Sequence, residues 1–185
     1  MRVISGTARG KKLLPVPGMD TRPTTDRVKE SVFNIIQNHV RGARVLDLFA
    51  GTGQMGIEAL SRGAVHCDFV DHDKAAQAII RKNADAARVA DRARVAGSDF
   101  GSFVAGCKKE AYDLIFLDPP YGGKLLGDAI RAIERFDILS RVGIIVCESS
   151  VEDAVDTRLS VGRTYRYGII QITILSQQQE DGMDT

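Results

Sequence analysis

From residue 45 onward, short runs of consecutive apolar residues alternate with longer segments whose apolar positions recur every three or four residues. The runs at 45–49, 66–70, 94–96, 114–117 and 144–147 have strand character, and the segments at 55–62, 74–87, 100–108 and 125–135 have helix character. A run such as Leu114-Ile115-Phe116-Leu117 has no polar side to turn to water, which is what a parallel strand covered on both faces requires. The alternation predicts an α/β fold with a doubly wound, mostly parallel sheet. The end of the chain breaks the rule. Residues 165–168 and 169–175 read as two strands folded back at Gly168 with no helix between them, so an antiparallel C-terminal hairpin is expected at one edge.

Ahead of this alternation, residues 2–17 pair short apolar steps with glycine and basic residues, the pattern of a small N-terminal β-hairpin. Pro15, Pro17, Gly18 and Pro23 interrupt regular structure, and Thr24 or Thr25 is placed to cap a helix. Val28, Val32, Ile35 and Ile36 then form one apolar stripe, predicting a helix that runs to about Asn38. With 185 residues and no repeat or long linker, residues 1–185 are expected to form a single domain. In it, residues 1–40 form an extension, and the polar, acidic residues 177–185 form a disordered tail.

Composition narrows the function classes. Hydrophobic residues at 44% and charged residues at 26% exclude collagenous, coiled-coil and wholly disordered chains. No apolar run approaches the roughly 18 to 20 residues of a membrane helix, and the start at Met1-Arg2-Val3 lacks the order of a secretory signal, so a cytoplasmic protein is expected. Cys67, Cys107 and Cys147 form no CxxC pair, and His39, His66 and His72 form no cluster; neither disulfide nor metal is expected. The net charge of +1 conceals a segregation. Residues 1–44 hold nine basic and three acidic groups, a net of +6, whereas residues 45–185 carry a net of −5. A basic segment on a slightly acidic body is the pattern of one that meets phosphates.

The sharpest local signal is Asp47-Leu48-Phe49-Ala50-Gly51-Thr52-Gly53-Gln54-Met55-Gly56, a strand entering a glycine-rich turn and a helix. Glycines there allow close approach of a ligand to the backbone, and the helix N-terminus offers free N–H groups. About 20 residues past Gly51, Asp71 ends the second apolar run, where a carboxylate accepts hydrogen bonds from ribose hydroxyls. Together these indicate an adenosine-containing ligand. Asp47 discriminates between ligands: a carboxylate in an apolar strand would be repelled by a pyrophosphate and stabilised by a cationic methionine moiety. The reading is S-adenosylmethionine in preference to a dinucleotide. Asp99, with Phe100 beside it, is placed to hold an adenine amino group, or else simply caps a helix; His72 and Asp73 fall in the same pocket.

The second signal is Asp118-Pro119-Pro120-Tyr121, directly after the apolar run 114–117. Two prolines fix the backbone and remove two donors, leaving an acceptor edge made by the Asp118 carboxylate and the Pro119 carbonyl. An exocyclic amino group suits that edge, its lone pair turned toward a methyl sulfonium. Asp118 is also placed to take the departing proton, and Tyr121 supplies a face on which a flipped-out base stacks. The alternative is an Asp-Pro-Pro turn with a core tyrosine.

These motifs, with the segment 58–64, resemble those of the bacterial 16S ribosomal RNA guanine-N2 methyltransferase family of the small subunit. Residues 2–6, 10–13, 21–30 and 33–35 are similar to that family's opening hairpin and helix. The resemblance spans about residues 1–175. It implies a class I S-adenosylmethionine-dependent methyltransferase of Rossmann-like fold, acting as a monomer on the exocyclic N2 of a guanine in the small subunit's 16S rRNA. It implies cofactor contacts from Asp47, Phe49, Ala50, Gly51, Thr52, Gly53, Gly56, Asp71, His72, Asp73, Asp99 and Phe100, and catalysis by Asp118, Pro119, Pro120 and Tyr121. It also implies RNA contacts from Arg2, Arg9, Lys11, Lys12 and Arg22, with residues 22–26 against the methionine end of the cofactor. Gln54-Met55 and Asp71, where the family more often has Glu, are small departures. The rival readings are an adenine-N6 methyltransferase on nucleic acid and a ribosome assembly factor that holds the cofactor without turnover.

Overall fold

The computed structural model describes residues 1–17, 26–121, 124–151 and 156–178. Its strands are β1 (Arg44–Asp47), β2 (His66–Val70), β3 (Ala93–Ala96), β4 (Tyr112–Leu117), β5 (Leu139–Ser150), β6 (Ser160–Tyr167) and β7 (Ile170–Ser176). The helices are α1 (Asp26–Ile35), α2 (Gln54–Ser61), α3 (Lys74–Ala86), α4 (Phe100–Ala105) and α5 (Leu125–Phe136). All strands join one seven-stranded sheet in the order β3-β2-β1-β4-β5-β7-β6. The first five are parallel, and β7 runs antiparallel to both β5 and β6. The mostly parallel sheet and the C-terminal hairpin, turning at Gly168 with φ +65°, are as the apolar pattern predicted. The chain winds outward from β1 through β2 and β3 on one side and through β4 and β5 on the other. The switch point therefore lies between β1 and β4, where open α/β sheets bind ligands at the strands' carboxyl ends.

Both faces of the sheet are covered at its centre, which is why β1, β4 and the middle of β5 are apolar. Val45, Leu114, Phe116, Ile144 and Val146 pack with Val32, Phe33, Ile57, Leu60 and Ile80 from α1, α2 and α3. The alternate residues Leu46, Ile115, Leu117, Ile145 and Cys147 pack on the other side with Val104, Ala129, Ile130 and Ile133 from α4 and α5. The cysteine thiols are all free, with Cys67 and Cys147 buried. No helix among the described residues is long and apolar enough to cross a membrane.

The expected N-terminal hairpin forms, closed by a single antiparallel bridge between Arg2 and Lys12. What holds it is Glu58 on α2. This fully buried carboxylate accepts from the Ile4 and Ser5 amides at 2.7 and 3.0 Å and from Arg62 Nε at 2.7 Å, and lies 3.6 Å from Lys29 Nζ. Lys29 is fully buried as well and donates to the Arg2 carbonyl at 2.6 Å; burial pulls its ammonium below the usual lysine range, against the pull of Glu58. A buried pair of this kind survives because its remaining polar valences are filled by backbone groups. Gly6, at φ +83°, crosses so close to α2 that a Cβ would lie 1.9 Å from the Ser61 carbonyl oxygen.

The ends of several elements differ from the pattern. α1 stops at Ile35 rather than near Asn38, and a single 3₁₀ turn follows at Gln37–His39. This tighter turn, with His39 N–H donating to the Ile36 carbonyl at 2.8 Å, lets both Ile36 and Val40 reach the core. α4 ends at Ala105, with Gly106 as its cap, rather than continuing to Lys108. β5 extends to both sides of 144–147 because β4 pairs with it at Leu139 and β7 pairs with it out to Ser150. Thr24, Thr25 and the tail from residue 179 lie outside the described residues.

Candidate active site

Asp47, the last residue of β1, is buried, and its Oδ2 accepts the Gly56 N–H at 3.0 Å. Gly56 is the third residue of α2, so this carboxylate satisfies one of the free donors at the helix start, a cap supplied from the preceding strand. Burial pushes the Asp47 carboxyl up to about 7, the Asp71 charge adding to the rise and the Gly56 N–H opposing it. Between them the turn takes left-handed conformations at Gly51 (φ +52°) and Gly53 (φ +75°). The two glycines face different surroundings. A Cβ at Gly53 would meet Ile80 and Phe69 at 3.2–3.3 Å, whereas a Cβ at Gly51 would meet nothing within 4 Å. Gly51 therefore presents bare backbone to open space.

Asp71 braces this turn from the end of β2. Its Oδ2 accepts the Gly51 N–H and its Oδ1 the Asp73 N–H, both at 2.9 Å. Asn83 on α3 does the same from behind, donating to the Thr52 carbonyl at 2.9 Å and to the Leu14 carbonyl at 3.0 Å while accepting the Leu14 N–H at 2.7 Å. The N-terminus also reaches the turn, with Thr52 Oγ1 lying 3.4 Å from Met1 Sδ. Ala50 N–H donates to the Val70 carbonyl, and Phe49 stacks tilted on Phe100 with centroids 5.5 Å apart.

The parallel register brings the second motif to the same edge. Asp47 pairs with Phe116 across β1 and β4, and Leu117 pairs with Cys147 across β4 and β5. Asp118, one residue past β4, thus stands beside Glu148. Since strand side chains alternate, Asp47, Asp118 and Glu148 all belong to the face that α2 covers. Burial, with the Glu148 and Asp47 carboxylates nearby, pushes the Asp118 carboxyl well above the usual range. Among the described residues no basic side chain pairs with Asp47 or Asp118. Pro119 is buried and Pro120 exposed. Tyr121 is 40% exposed, which rules out a core tyrosine, and its hydroxyl donates to Glu148 Oε1 at 2.5 Å.

The secondary candidates are placed as follows. Asp99 Oδ1 accepts the Ser102 N–H at 2.9 Å and caps α4, and a hydrogen bond from the Ser102 side chain, followed by that from its N–H, lowers the Asp99 carboxyl; the plain cap is therefore present. Asp73 caps α3 through the Ala75 N–H, and His72 is exposed with Nδ1 3.8 Å from Asp71. Arg2 pairs with Asp26 at 3.2 Å, while Arg9, Lys11 and Lys12 are exposed on the hairpin; Arg22 lies outside the described residues. No group of three or more potential metal ligands occurs among the described residues.

Two parts of the site escaped the sequence reading. Glu148 was legible by the same signal as Asp118, an acidic residue directly after an apolar run, but its strand neighbour was unknown. Asn83 carries no signal, because only the fold brings α3, Leu14 and Thr52 together.

Residues 1–176 match the family model described as Conserved hypothetical protein 95. The Bacillus subtilis (strain 168) protein YlbH, provisionally named an rRNA methyltransferase, is 41% identical over 185 residues, covering 96% of this chain and 100% of that protein. The ribosomal RNA small subunit methyltransferase D of Escherichia coli (strain K12) is 40% identical over 158 residues, covering 85% of this chain and 78% of that protein. The solved structure of Escherichia coli yhhF, provisionally described as a methyltransferase, superposes with a TM-score of 0.84 at 37% identity, covering 96% of this chain and 99% of that one. An RNA methyltransferase from Salinibacter ruber, solved in complex with S-adenosyl-L-homocysteine, shares the fold at a TM-score of 0.66 and 21% identity, covering 88% of this chain and 97% of that one. On these matches, which run through the glycine turn and the Asp-Pro-Pro-Tyr tetrad alike, the chain belongs to the Conserved hypothetical protein 95 family, that of YlbH and the small-subunit rRNA methyltransferase D proteins.

Proposed function

We propose that this protein transfers a methyl group from S-adenosylmethionine to the exocyclic N2 of a guanine in the 16S rRNA of the small ribosomal subunit. The observation that carries the reading is the convergence of the Gly51 turn and the Asp118 tetrad at the carboxyl ends of adjacent strands β1 and β4. The names of the relatives support an rRNA substrate, and the complexed fold relative supports the cofactor.

The chain's own residues fit that cofactor. Gly51 offers backbone with open space beside it. Asp71 spends one lone pair per oxygen on backbone donors, and a carboxylate oxygen has a second for a ribose hydroxyl. Asp47 and Asp118 are acids without a cationic partner among the described residues, and positive charge brought near them favours their ionised forms. Phe49 and Phe100 offer ring surface next to the turn, and Asp99 is the carboxylate beside them for an amino group. When bound, the cofactor supplies an electrophilic methyl on a sulfonium.

At the acceptor edge, the Asp118 carboxylate and the Pro119 carbonyl take the two N–H groups of the guanine amine, and the rigid prolines hold those acceptors in place. An Asp118 oxygen receives the proton that the amine loses on methylation. Tyr121 offers its exposed ring to the extruded base. The chain acts as one methyltransferase domain in which residues 1–40 meet RNA through Arg2, Arg9, Lys11, Lys12 and Arg22. The test is transfer of labelled methyl to small subunits from a strain lacking this gene, followed by nucleoside analysis. Label in N2-methylguanosine supports the reading. Label in a methyladenosine overturns the base, and no label despite tight cofactor binding overturns the activity.

A further inference from the structure

We propose that Glu148 is a positioning residue, a buried carboxylate that holds the Tyr121 hydroxyl and so fixes the plane of the ring on which the substrate base stacks. The inference rests on the proposed function for the base, but the tether itself does not.

The two residues are unlike in every respect except the bond between them. Tyr121 lies past the prolines on the loop after β4 and is 40% exposed. Glu148 is 6% exposed in the body of β5, a strand paired on one side with β4 and on the other with β7. It is an immobile post. Tyr121 Oη donates to Glu148 Oε1 at 2.5 Å, the length of a charge-assisted O–H···O⁻ bond. Such a bond is among the stronger hydrogen bonds in a protein and favours one ring orientation. A stacking platform gains from being held before the base arrives, because the cost of ordering it is then not charged to binding. A carboxylate buried on this strand beside Asp118 costs free energy unless it is hydrogen-bonded, and the tyrosine hydroxyl supplies one such bond.

The experiment compares the full-length protein with Glu148→Gln, Glu148→Asp, Tyr121→Phe and the Glu148→Gln/Tyr121→Phe double variant. The first readout is the ring ζ-carbon resonance of Tyr121 in protein carrying ζ-13C tyrosine, identified by its absence from Tyr121→Phe. Both Glu148 variants should move it while leaving Tyr112, Tyr165 and Tyr167 in place. Glu148→Asp keeps the charge and withdraws it by one methylene, which separates the tether from any charge effect on Asp118. The second readout is methyl transfer to small subunits. Each single variant should raise KM for the particle roughly tenfold with cofactor affinity unchanged, and the double variant should lose no more than either single one. A Tyr121 resonance unmoved by both Glu148 variants overturns the tether whatever the activity. Additive losses, or a Tyr121→Phe enzyme with wild-type KM, overturn its use in substrate positioning. Absence of transfer by the wild-type protein counts instead against the proposed function.

Discussion

Replacing Asp47 by asparagine isolates the cost that this fold carries at the end of β1. The carboxyl stands at about 7 in the folded chain against an ordinary 3.8, a difference worth about 4 kcal/mol at ~1.4 kcal/mol per pH unit. Between about pH 4 and 7 the folded protein keeps a proton that the unfolded chain releases. Unfolding then releases protons, and stability falls as pH rises through that window. Below it both states are protonated and the cost vanishes; above it both are ionised and the cost is complete. The asparagine side chain retains an oxygen for the Gly56 N–H and does not titrate. Urea unfolding without cofactor should therefore find wild type and Asp47→Asn within about 1 kcal/mol of each other at pH 4, and the variant more stable at pH 8 by up to about 4 kcal/mol, with similar m values. Easing of Asp118, which Asp47 helps to push up, adds in the same direction. The same substitution should weaken S-adenosylmethionine binding at pH 8 by about tenfold or more, since the attraction for a cation is lost. Stability curves that run parallel from pH 4 to pH 8 would refute the assignment of that cost to Asp47.

Asp118→Ala should abolish methyl transfer while cofactor affinity by calorimetry stays within about tenfold, or about 1.4 kcal/mol; near-wild-type turnover would remove Asp118 from the chemistry. Gly56→Ala would place a Cβ 2.3 Å from the Phe69 ring and 2.6 Å from Cys67 Sγ. Overpacking of that kind costs about 1–3 kcal/mol, readable as a lower urea midpoint at unchanged m. Replacing Arg9, Lys11 and Lys12 by alanine should weaken binding to small subunits and reduce the slope of log affinity against log salt by up to about 3, without altering cofactor affinity. An unchanged slope would move the RNA contact elsewhere.

The residues that sequence reading located best are those whose chemistry is at odds with their surroundings. Asp47 stands out as a carboxylate within the apolar run 45–49, Asp118 because it directly follows the apolar run 114–117, and Gly51 and Gly53 because few other residues take the turn they form. What the reading assigned least well were residues with two compatible roles. Asp99 and Asp73 are both helix caps in the structure, and a cap has the same sequence signature as a ligand-binding carboxylate at a strand end. Glu58 and Lys29 look like ordinary helix-surface charges until the hairpin folds over them, and the structure buries both completely.

The order of strand-like and helix-like segments, the glycine turn and the tetrad were determined by local sequence, because period, backbone freedom and turn chemistry act over a few residues. The pairing of β1 with β4 and of β4 with β5 was decided only by the tertiary structure. So were the gathering of Asp47, Asp118 and Glu148 on one face, the grip of Glu148 on Tyr121, and the seating of the N-terminal segment on Glu58 and Asn83. These depend on which strands become neighbours and in what register. Register is a property of the assembled sheet and its buried faces, so contacts between residues far apart in the chain appear only once the whole core has closed.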